Sequence, residues 1–364
     1  MSRTLREIAP VADRVTSHFY ALLFIGHPHL RSLFPPAMDA QRDRLLKALL
    51  TAAELMVSPT RLTGYLQDLG RGHRKYGTEP DHYPAVGEAL IGALCAYAPE
   101  TWDEASEQAW TRTYQTIARV MTDAAAADAR TAPPWWSAEI VSHRMRSPRV
   151  AEITVRTDRP YRFAPGQFAS METPWWPRVW RNYSFARAPR EDGLLVFLVK
   201  ALPAGWVSNA LVNRARPGDV LRLGPAQGSM VVDHTTQRGL LCLGGGTGIA
   251  PIVAMVEDVV ERDGHRPVDV FYGARDENDL YAMDAMLRLK QKYPRLSVRT
   301  VVGETPRIID SVREFGPWYG YDAYISGPVG MVRQGIRNLG DLGVRPQDIL
   351  HDPLETLLSA VECR

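Results

Sequence analysis

Several stretches of the 364-residue chain carry residue types that could hold or transform a ligand. Gly244-Gly245-Gly246-Thr247-Gly248-Ile249-Ala250-Pro251 is a glycine cluster at the end of a short apolar run. Glycines let a backbone approach a pyrophosphate closely, and a helix starting there offers free N–H groups and a positive dipole end. The same residues would also make a tight turn that binds nothing. Asp322-Ala-Tyr-Ile-Ser326-Gly327-Pro328 reads as a second strand running into a turn and a helix. Ligands collect at the carboxyl ends of parallel strands, so Ser326 and Gly327 would face the crevice of Gly246. Arg181-Asn182-Tyr183-Ser184 closes a stretch rich in Trp and Arg that begins at Pro174. On a strand, Arg181 and Tyr183 share a face and could hold a phosphate and an aromatic ring together; an ordinary barrel surface would look the same. Of the nine histidines, none stands out by spacing, because a lone helical histidine is more often structural than a metal ligand.

These residues need elements to position them. Before about residue 130 the pattern is helical. Leu45, Leu49, Ala52 and Met56 recur at helical spacing, as do Leu46, Leu50, Ala53 and Val57, and later Trp110, Tyr114, Ile117 and Met121. Pro35-Pro36, Pro59 and Pro80 divide the pattern into several helices of an all-α domain. Thr131-Ala-Pro-Pro134 cannot sit inside a helix and marks a linker. Beyond it the period shifts toward two, with Ala151, Ile153 and Val155 alternating with polar residues and Leu194 to Val199 almost wholly apolar. Turn signals at Pro165-Gly166, Pro217-Gly218 and Gly224-Pro225 suggest a small antiparallel β-barrel. From about Leu240, a short apolar strand at 240–243 and further strands expected at 268–272, 298–302 and 322–326 alternate with helical stretches such as 252–261, which implies an α/β parallel sheet. The expected domains are residues 1–130, 131–237 and 238–364.

The order of the motifs is specific. Arg181-x-Tyr183-Ser184, Gly205-Trp-Val207-Ser208-Asn209, Gly244–Pro251 and Ser326-Gly-Pro-Val-Gly-Met331 together resemble the ferredoxin reductase-like flavin and pyridine-nucleotide module. That resemblance implies FAD held by Arg181 at its diphosphate, by Tyr183 against the isoalloxazine and by Ser184 at the ring. It implies Val207 and Ser208 at the flavin phosphate and Gln167 in the turn before the strand. Gly245, Gly246, Thr247 and Gly248, with Ser326, Gly327 and Pro328, would hold the nicotinamide dinucleotide. The family often has Cys where Ser326 stands. Arg275 follows the second strand of the sheet among Asp276, Glu277 and Asp279, an acidic setting that favours NADH over NADPH.

The helical half carries a looser set of motifs: His18-Phe19-Tyr20, Phe34, Gln41-Arg-x-x-Leu45, His73 and Asp81-His82-Tyr83-Pro84-x-Val86-Gly87. In order and spacing they resemble the globin domain of flavohaemoglobins. The resemblance implies haem b with His73 as proximal iron ligand, and Tyr20 and Gln41 as hydrogen-bond donors to dioxygen on the other face. It also implies Phe34 on the haem edge, Leu45 walling the distal pocket and Tyr83 as a proximal partner. His18 and His82 are read as structural. Flavohaemoglobins place a glutamate on the last globin helix near the proximal histidine. The aligned stretch here is Asp123-Ala-Ala-Ala-Ala127. They also usually end in an aromatic segment near the flavin, where this chain has His351-Asp352-Pro353-Leu354.

The expectation is therefore a divergent flavohaemoglobin. NAD(P)H reduces FAD, FAD reduces the haem iron, and ferrous haem binds O2 and oxidises nitric oxide to nitrate. The competing expectations are an FAD-dependent NADH reductase whose globin passes electrons to another acceptor, and a haem-based gas sensor. Composition agrees with such a protein. With 43 Lys plus Arg against 41 Asp plus Glu the chain lacks the basic footprint of a nucleic-acid binder. Cys95, Cys242 and Cys363 are few and far apart, which suggests a reducing compartment. The longest early apolar run, Ala21 to Ile25, follows acidic Glu7 and Asp13 and does not read as a signal peptide. No stretch approaches the ~18 apolar residues of a membrane span. A cytoplasmic protein, monomer or weak homodimer, acting on small molecules is expected.

Overall fold

The computed structural model describes residues 2–55, 58–262, 265–303 and 307–352. The chain divides into two compact units, Met1–Pro134 and Trp135–Arg364.

The first unit is helical: α1 (Ser2–Ile8), α2 (Ala12–Gly26), α3 (Asp39–Leu55), α4 (Pro59–His73), α5 (Tyr83–Tyr97) and α6 (Glu104–Ala129). Proline stands at the first turn of α4 and α5, where its missing N–H has no intrahelical partner to lose. Asp103 caps α6 by accepting from the Ser106 N–H at 2.7 Å. The core joins Val15, Phe19 and Leu23 of α2 to Ala89, Ala93 and Leu94 of α5. Small residues on α5 let the two helices approach closely. On α3, Leu45 packs against this core; the side chains of Leu46, Leu49, Leu50 and Ala53, and Met56 and Val57 altogether, lie outside the described residues. On α6, Trp110 and Met121 are buried as the spacing implies. Helix α4 meets α6 at Gly70, where a Cβ would run into the Met121 carbonyl.

The second unit begins with an antiparallel sheet of β1 (Trp136–Ser147), β2 (Val150–Thr157), β3 (Phe168–Thr173), β4 (Trp176–Ser184), β5 (Leu194–Lys200) and β6 (Val220–Gln227). Its order is β4-β3-β6-β1-β2-β5, and a bridge between Phe185 and Phe197 joins the outer strands into a barrel. Ile140, Ile153, Phe185, Phe197 and Leu221 are wholly buried in it. A helix that periodicity did not suggest, α7 (Trp206–Asn213), lies between β5 and β6.

A parallel sheet follows: β7 (Gly239–Gly245), α8 (Ile249–Arg262), β8 (Val268–Ala274), α9 (Met283–Lys292), β9 (Leu296–Val302), α10 (Ile308–Glu314), β10 (Tyr321–Ser326), α11 (Val329–Asn338) and β11 (Ile349–His351). The strand order is β11-β10-β7-β8-β9. Both faces are covered, which is why the central strand β7 is buried throughout and reads as a continuous apolar run. Leu240, Cys242, Val270 and Tyr324 pack with Ile252 and Val256 of α8. Leu241, Leu243, Phe271 and Ile325 face Ile309 and Val312 of α10 and Val332 of α11. The short edge strand β11 had no sequence signal. The all-α, antiparallel and parallel parts thus follow in the expected order.

Candidate functional site

His73 is the last residue of α4. Its Nδ1 lies 2.7 Å from the Leu69 carbonyl one turn back. Nδ1 therefore carries the proton, and Nε2 keeps the lone pair that a metal would take. Burial lowers the pKa of the ring against the opposing pull of the Leu69 bond, so the imidazole is neutral, the form that ligates. Tyr76 meets it edge-on with ring centroids 6.3 Å apart. Among the described residues no group of three or more His, Cys, Asp or Glu could hold a metal. An iron here would take one ligand from the protein and the rest from a macrocycle, which a lone neutral histidine fits.

Tyr20, on α2, is 6% exposed, and its hydroxyl donates to the Gln41 main-chain carbonyl at 3.4 Å. Burial raises this phenol to about 12, so it is a donor at neutral pH. The Tyr20 ring meets Phe34 edge-on at 5.6 Å and stacks on Phe24 at 5.8 Å. Leu45 and Met38 pack against the same core. Tyr20, Phe34, Gln41 and Leu45 are thus brought together. Phe24 and Met38 join them unannounced, although Phe24 stands four residues after Tyr20 on the same helix face. The bond from Tyr20 ends on the Gln41 main-chain carbonyl.

Tyr83 opens α5, and its main-chain carbonyl accepts from the Tyr114 hydroxyl at 2.6 Å. Gly87 makes room for that ring, since a Cβ there would come within 2.5 Å of it. Burial raises the Tyr83 hydroxyl pKa. His82 accepts from the Glu79 N–H at 3.0 Å as a helix cap, and His18 packs edge-on to Tyr97. At the far end of α6, Asp128 pairs with Arg74, which also donates to the Ala132 carbonyl at 2.7 Å. The residue after His73 is thus tied to the last turn of α6 by an aspartate–arginine pair.

In the barrel, Tyr183 lies opposite Ala169 and Arg181 opposite Met171, so both side chains project from one face of β4. Burial raises the Tyr183 hydroxyl pKa despite the nearby Arg181 charge, leaving a neutral phenol beside a guanidinium. Ser184 pairs with Phe168 at the end of the strand. Three of the expected residues have their side chains engaged within the protein. The Gln167 amide is occupied at both ends: Oε1 accepts from the Ala164 N–H at 2.9 Å and Nε2 donates to the Gly228 carbonyl at 3.2 Å. The Ser208 hydroxyl donates to the Gly205 carbonyl at 3.1 Å and accepts from the Leu202 N–H at 3.2 Å. Val207 is 2% exposed. Gln167 therefore braces the turn, and Val207 and Ser208 have only main-chain N–H groups at the start of α7 to offer a phosphate.

In the parallel sheet, Gly244 of β7 lies directly beside Ser326 of β10. A Cβ on Gly248 would come within 2.5 Å of Gly327 Cα and of the Ser326 carbonyl. Gly245 packs as tightly on Pro328 and Met331. The two strand-to-helix turns therefore abut at the carboxyl ends of the strands. Gly246 has φ +55°, and a Cβ there would meet nothing within 4 Å, so the turn faces open space that a dinucleotide could fill. Arg275 is exposed just beyond β8. Asp276 caps the following turn, and Asp279 accepts from the Tyr281 hydroxyl.

One buried acid had no sequence signal. Asp352 follows β11, is 6% exposed, and its Oδ1 has no hydrogen-bond partner among the described residues. It lies against Gly228 of the barrel, and burial raises its carboxyl to about 6. Pro353 and Leu354, like Cys363, lie outside the described residues.

Residues 17–121 match the globin family, residues 137–231 the oxidoreductase FAD-binding domain and residues 242–335 the oxidoreductase NAD-binding domain. The chain is 28% identical over 381 residues to a flavohemoprotein of Bordetella pertussis, covering 93% of this chain and 94% of that one. It is 29% identical over 212 residues to the ferredoxin–NAD(P)(+) reductase component of a naphthalene 1,2-dioxygenase/salicylate 5-hydroxylase system of Ralstonia, covering 56% of this chain and 64% of that one. Among solved structures, a flavohemoglobin from Malassezia yamatoensis with bound FAD and heme superposes with TM-score 0.76 at 18% identity, covering 96% of this chain and 97% of that one.

Proposed function

From a chain that belongs to the flavohaemoglobins, a globin domain followed by FAD-binding and NAD-binding oxidoreductase domains, we propose a nitric oxide dioxygenase driven by NADH. The architecture is that of an NAD(P)H–FAD–haem electron chain. When bound, these groups would supply hydride acceptance, one-electron transfer and the oxidation of nitric oxide by dioxygen to nitrate.

The observation that carries the reading is His73, a half-buried neutral imidazole whose Nδ1 proton is held by Leu69. That bond sets the tautomer and leaves Nε2 with the lone pair that would ligate an iron. Tyr20 keeps its proton at neutral pH and supplies a hydroxyl beside the Phe24–Phe34 aromatic wall. Gln41 and Leu45 complete that wall, and Tyr83 orders the proximal side through its bond from Tyr114. In the second unit, Arg181 would neutralise the flavin diphosphate and Tyr183 would lie along the ring. The Val207 and Ser208 N–H groups would receive a phosphate, while Gln167 holds the turn. Gly245–Gly248 with Ser326–Pro328 form the nicotinamide dinucleotide cradle. The carboxylates of Asp276, Glu277 and Asp279 around Arg275 oppose a 2′-phosphate, which favours NADH.

The α6 pairing favours one alternative. In place of the expected glutamate near the proximal ligand, α6 carries an alanine run, and its Asp128 is committed to Arg74. The imidazole then receives less push toward oxygen chemistry, as suits a globin that hands electrons to another acceptor. Purified protein given NADH, O2 and nitric oxide separates the two. The dioxygenase consumes about two nitric oxide per NADH, by electron count, and yields nitrate. NADH oxidation with nitric oxide left intact refutes it.

A further inference from the structure

Glu257 of α8 reaches across to the barrel. Its Oε1 accepts from the Arg187 guanidinium, and its Oε2 accepts from the Ala188 N–H at 3.0 Å. The carboxylate is 15% exposed and the guanidinium 29%. Arg190, the next cation along that segment, is committed to Asp192, with Nε donating at 3.1 Å. Both oxygens of Glu257 thus serve one short segment, through two charge-assisted hydrogen bonds of different direction. None of these residues belongs to the flavin and dinucleotide cradles described above.

The two ends of this bridge lie close to those cradles. Arg187 stands three residues beyond Ser184, where β4 ends. Phe185 between them is wholly buried, and the Ala186 N–H donates to the Val196 carbonyl at 2.8 Å, so the segment is anchored to the barrel up to the bridge. Glu257 stands nine residues beyond Gly248, and every residue from Ile249 to Val256 of α8 is buried. That stretch of packed helix is a rigid rod of about 12 Å, so holding Glu257 holds the Gly246–Gly248 turn at its other end. Apolar contacts also cross this boundary. A Cβ on Gly166 would lie 3.1 Å from the sulfur of buried Met255, and Leu198 of β5 packs against the core of the parallel sheet. Apolar contact is non-directional: it resists separation, not sliding or rotation. A carboxylate with two fixed donors resists both.

We propose that Glu257, through Arg187 and the Ala188 N–H, is a positioning residue for hydride transfer, fixing the dinucleotide turn of α8 at the distance and angle from β4 that the reacting atoms need. In that step the C4–H bond of NADH breaks with its electron pair and an N–H bond forms on the isoalloxazine. NADH is oxidised to NAD+ and FAD is reduced to FADH−. The reacting atoms must come within about 3–3.5 Å, and a misplacement of about 1 Å can cost on the order of 100-fold in rate. The proposal rests on the reading that FAD lies on β4 and the dinucleotide on Gly245–Gly248. A partly exposed ion pair adds little to stability, so its removal leaves a folded protein whose two cradles are intact and poorly aligned.

The test uses the full-length protein loaded with FAD and mixed with NADH without oxygen. Flavin bleaching against NADH concentration gives a limiting rate constant and an NADH dissociation constant. Glu257→Ala and Arg187→Ala should each lower the limiting rate, Glu257→Ala by about tenfold or more, and leave the dissociation constant within about twofold. The double variant should be no slower than Glu257→Ala, because the two residues act through one contact. Glu257→Asp, which keeps the charge on a shorter arm, should recover part of the rate. Amide hydrogen exchange gives a readout apart from turnover: the Ala188 N–H should be protected in the wild type and exchange faster in Glu257→Ala, with β5 unchanged. A limiting rate unchanged in both alanine variants overturns the proposal. So does a rate that falls together with NADH affinity and flavin content, which is how a merely structural pair behaves. Rapid exchange of the Ala188 N–H in the wild type overturns it even where Glu257→Ala fails to fold. If NADH does not reduce the wild-type flavin at all, the assignment of the two cradles has failed and the proposal with it, a different result from a slowed variant.

Discussion

A helical histidine becomes a ligand when its surroundings remove its other options. Leu69 holds Nδ1 of His73, and burial keeps the ring neutral. His73→Ala should abolish the Soret band and leave the flavin absorbance in place; haem retained with unchanged spectra would contradict the assignment. Asp352 makes the second residue-scale prediction. Burial raises its carboxyl from the ordinary range to about 6. The folded state then holds a proton that the unfolded chain releases. The associated stability is complete below about pH 4 and is lost as pH rises through about 6. Asp352→Asn should remove this loss, gaining on the order of 1–3 kcal/mol at pH 8 and little at pH 4. Thermal unfolding in saturating FAD at both pH values measures it, and an equal gain at both would show that the acid does not titrate there.

At the scale of elements, close approach decides the positions of the candidate residues. Gly70 lets α4 lie on the Met121 backbone of α6, three residues before His73. Gly70→Ala should force the helices apart and cost about 1–3 kcal/mol. Gly72, on the same helix, has nothing within 4 Å of a Cβ, so Gly72→Ala should be neutral or stabilising by up to about 1 kcal/mol. Melting temperature and haem content of the two variants check the contrast; equal behaviour would mean that α4 and α6 have slack between them. The same logic joins the Gly248 and Ser326-Gly327 turns, whose meeting follows from strand order more than from either motif.

Across the whole molecule, globin, flavin and nicotinamide domains share one polypeptide, with Thr131-Ala-Pro-Pro134 between the helical unit and the rest. No helix among the described residues is long and apolar enough to cross a membrane. Tethering turns electron delivery to the globin into an intramolecular event with its own effective concentration. Anaerobic mixing with NADH should therefore reduce flavin and then haem, with a haem rate constant that does not change over a tenfold dilution of protein. A rate that falls with dilution would mean transfer between molecules, and a haem that stays oxidised would favour the gas sensor.

Periodicity, proline positions and motif order were enough to read three consecutive folds, because burial periods of 3.6 and 2 and the glycine demands of tight turns are written locally. The glycine turns picked out Gly246 and Ser326, whose segments the fold joins, while Tyr20, Phe34, Gln41 and Leu45, which the fold gathers, came only from the resemblance to the globin domain of flavohaemoglobins. Local signals did not reveal α7 or β11, short elements held by their neighbours more than by their own pattern. Nor did they reveal that Gln167 and Ser208 spend their side chains on the backbone, that Asp128 pairs with Arg74, or that Asp352 is a buried acid. Side-chain partners and desolvation depend on what comes near from distant parts of the chain, and only the tertiary structure decides that.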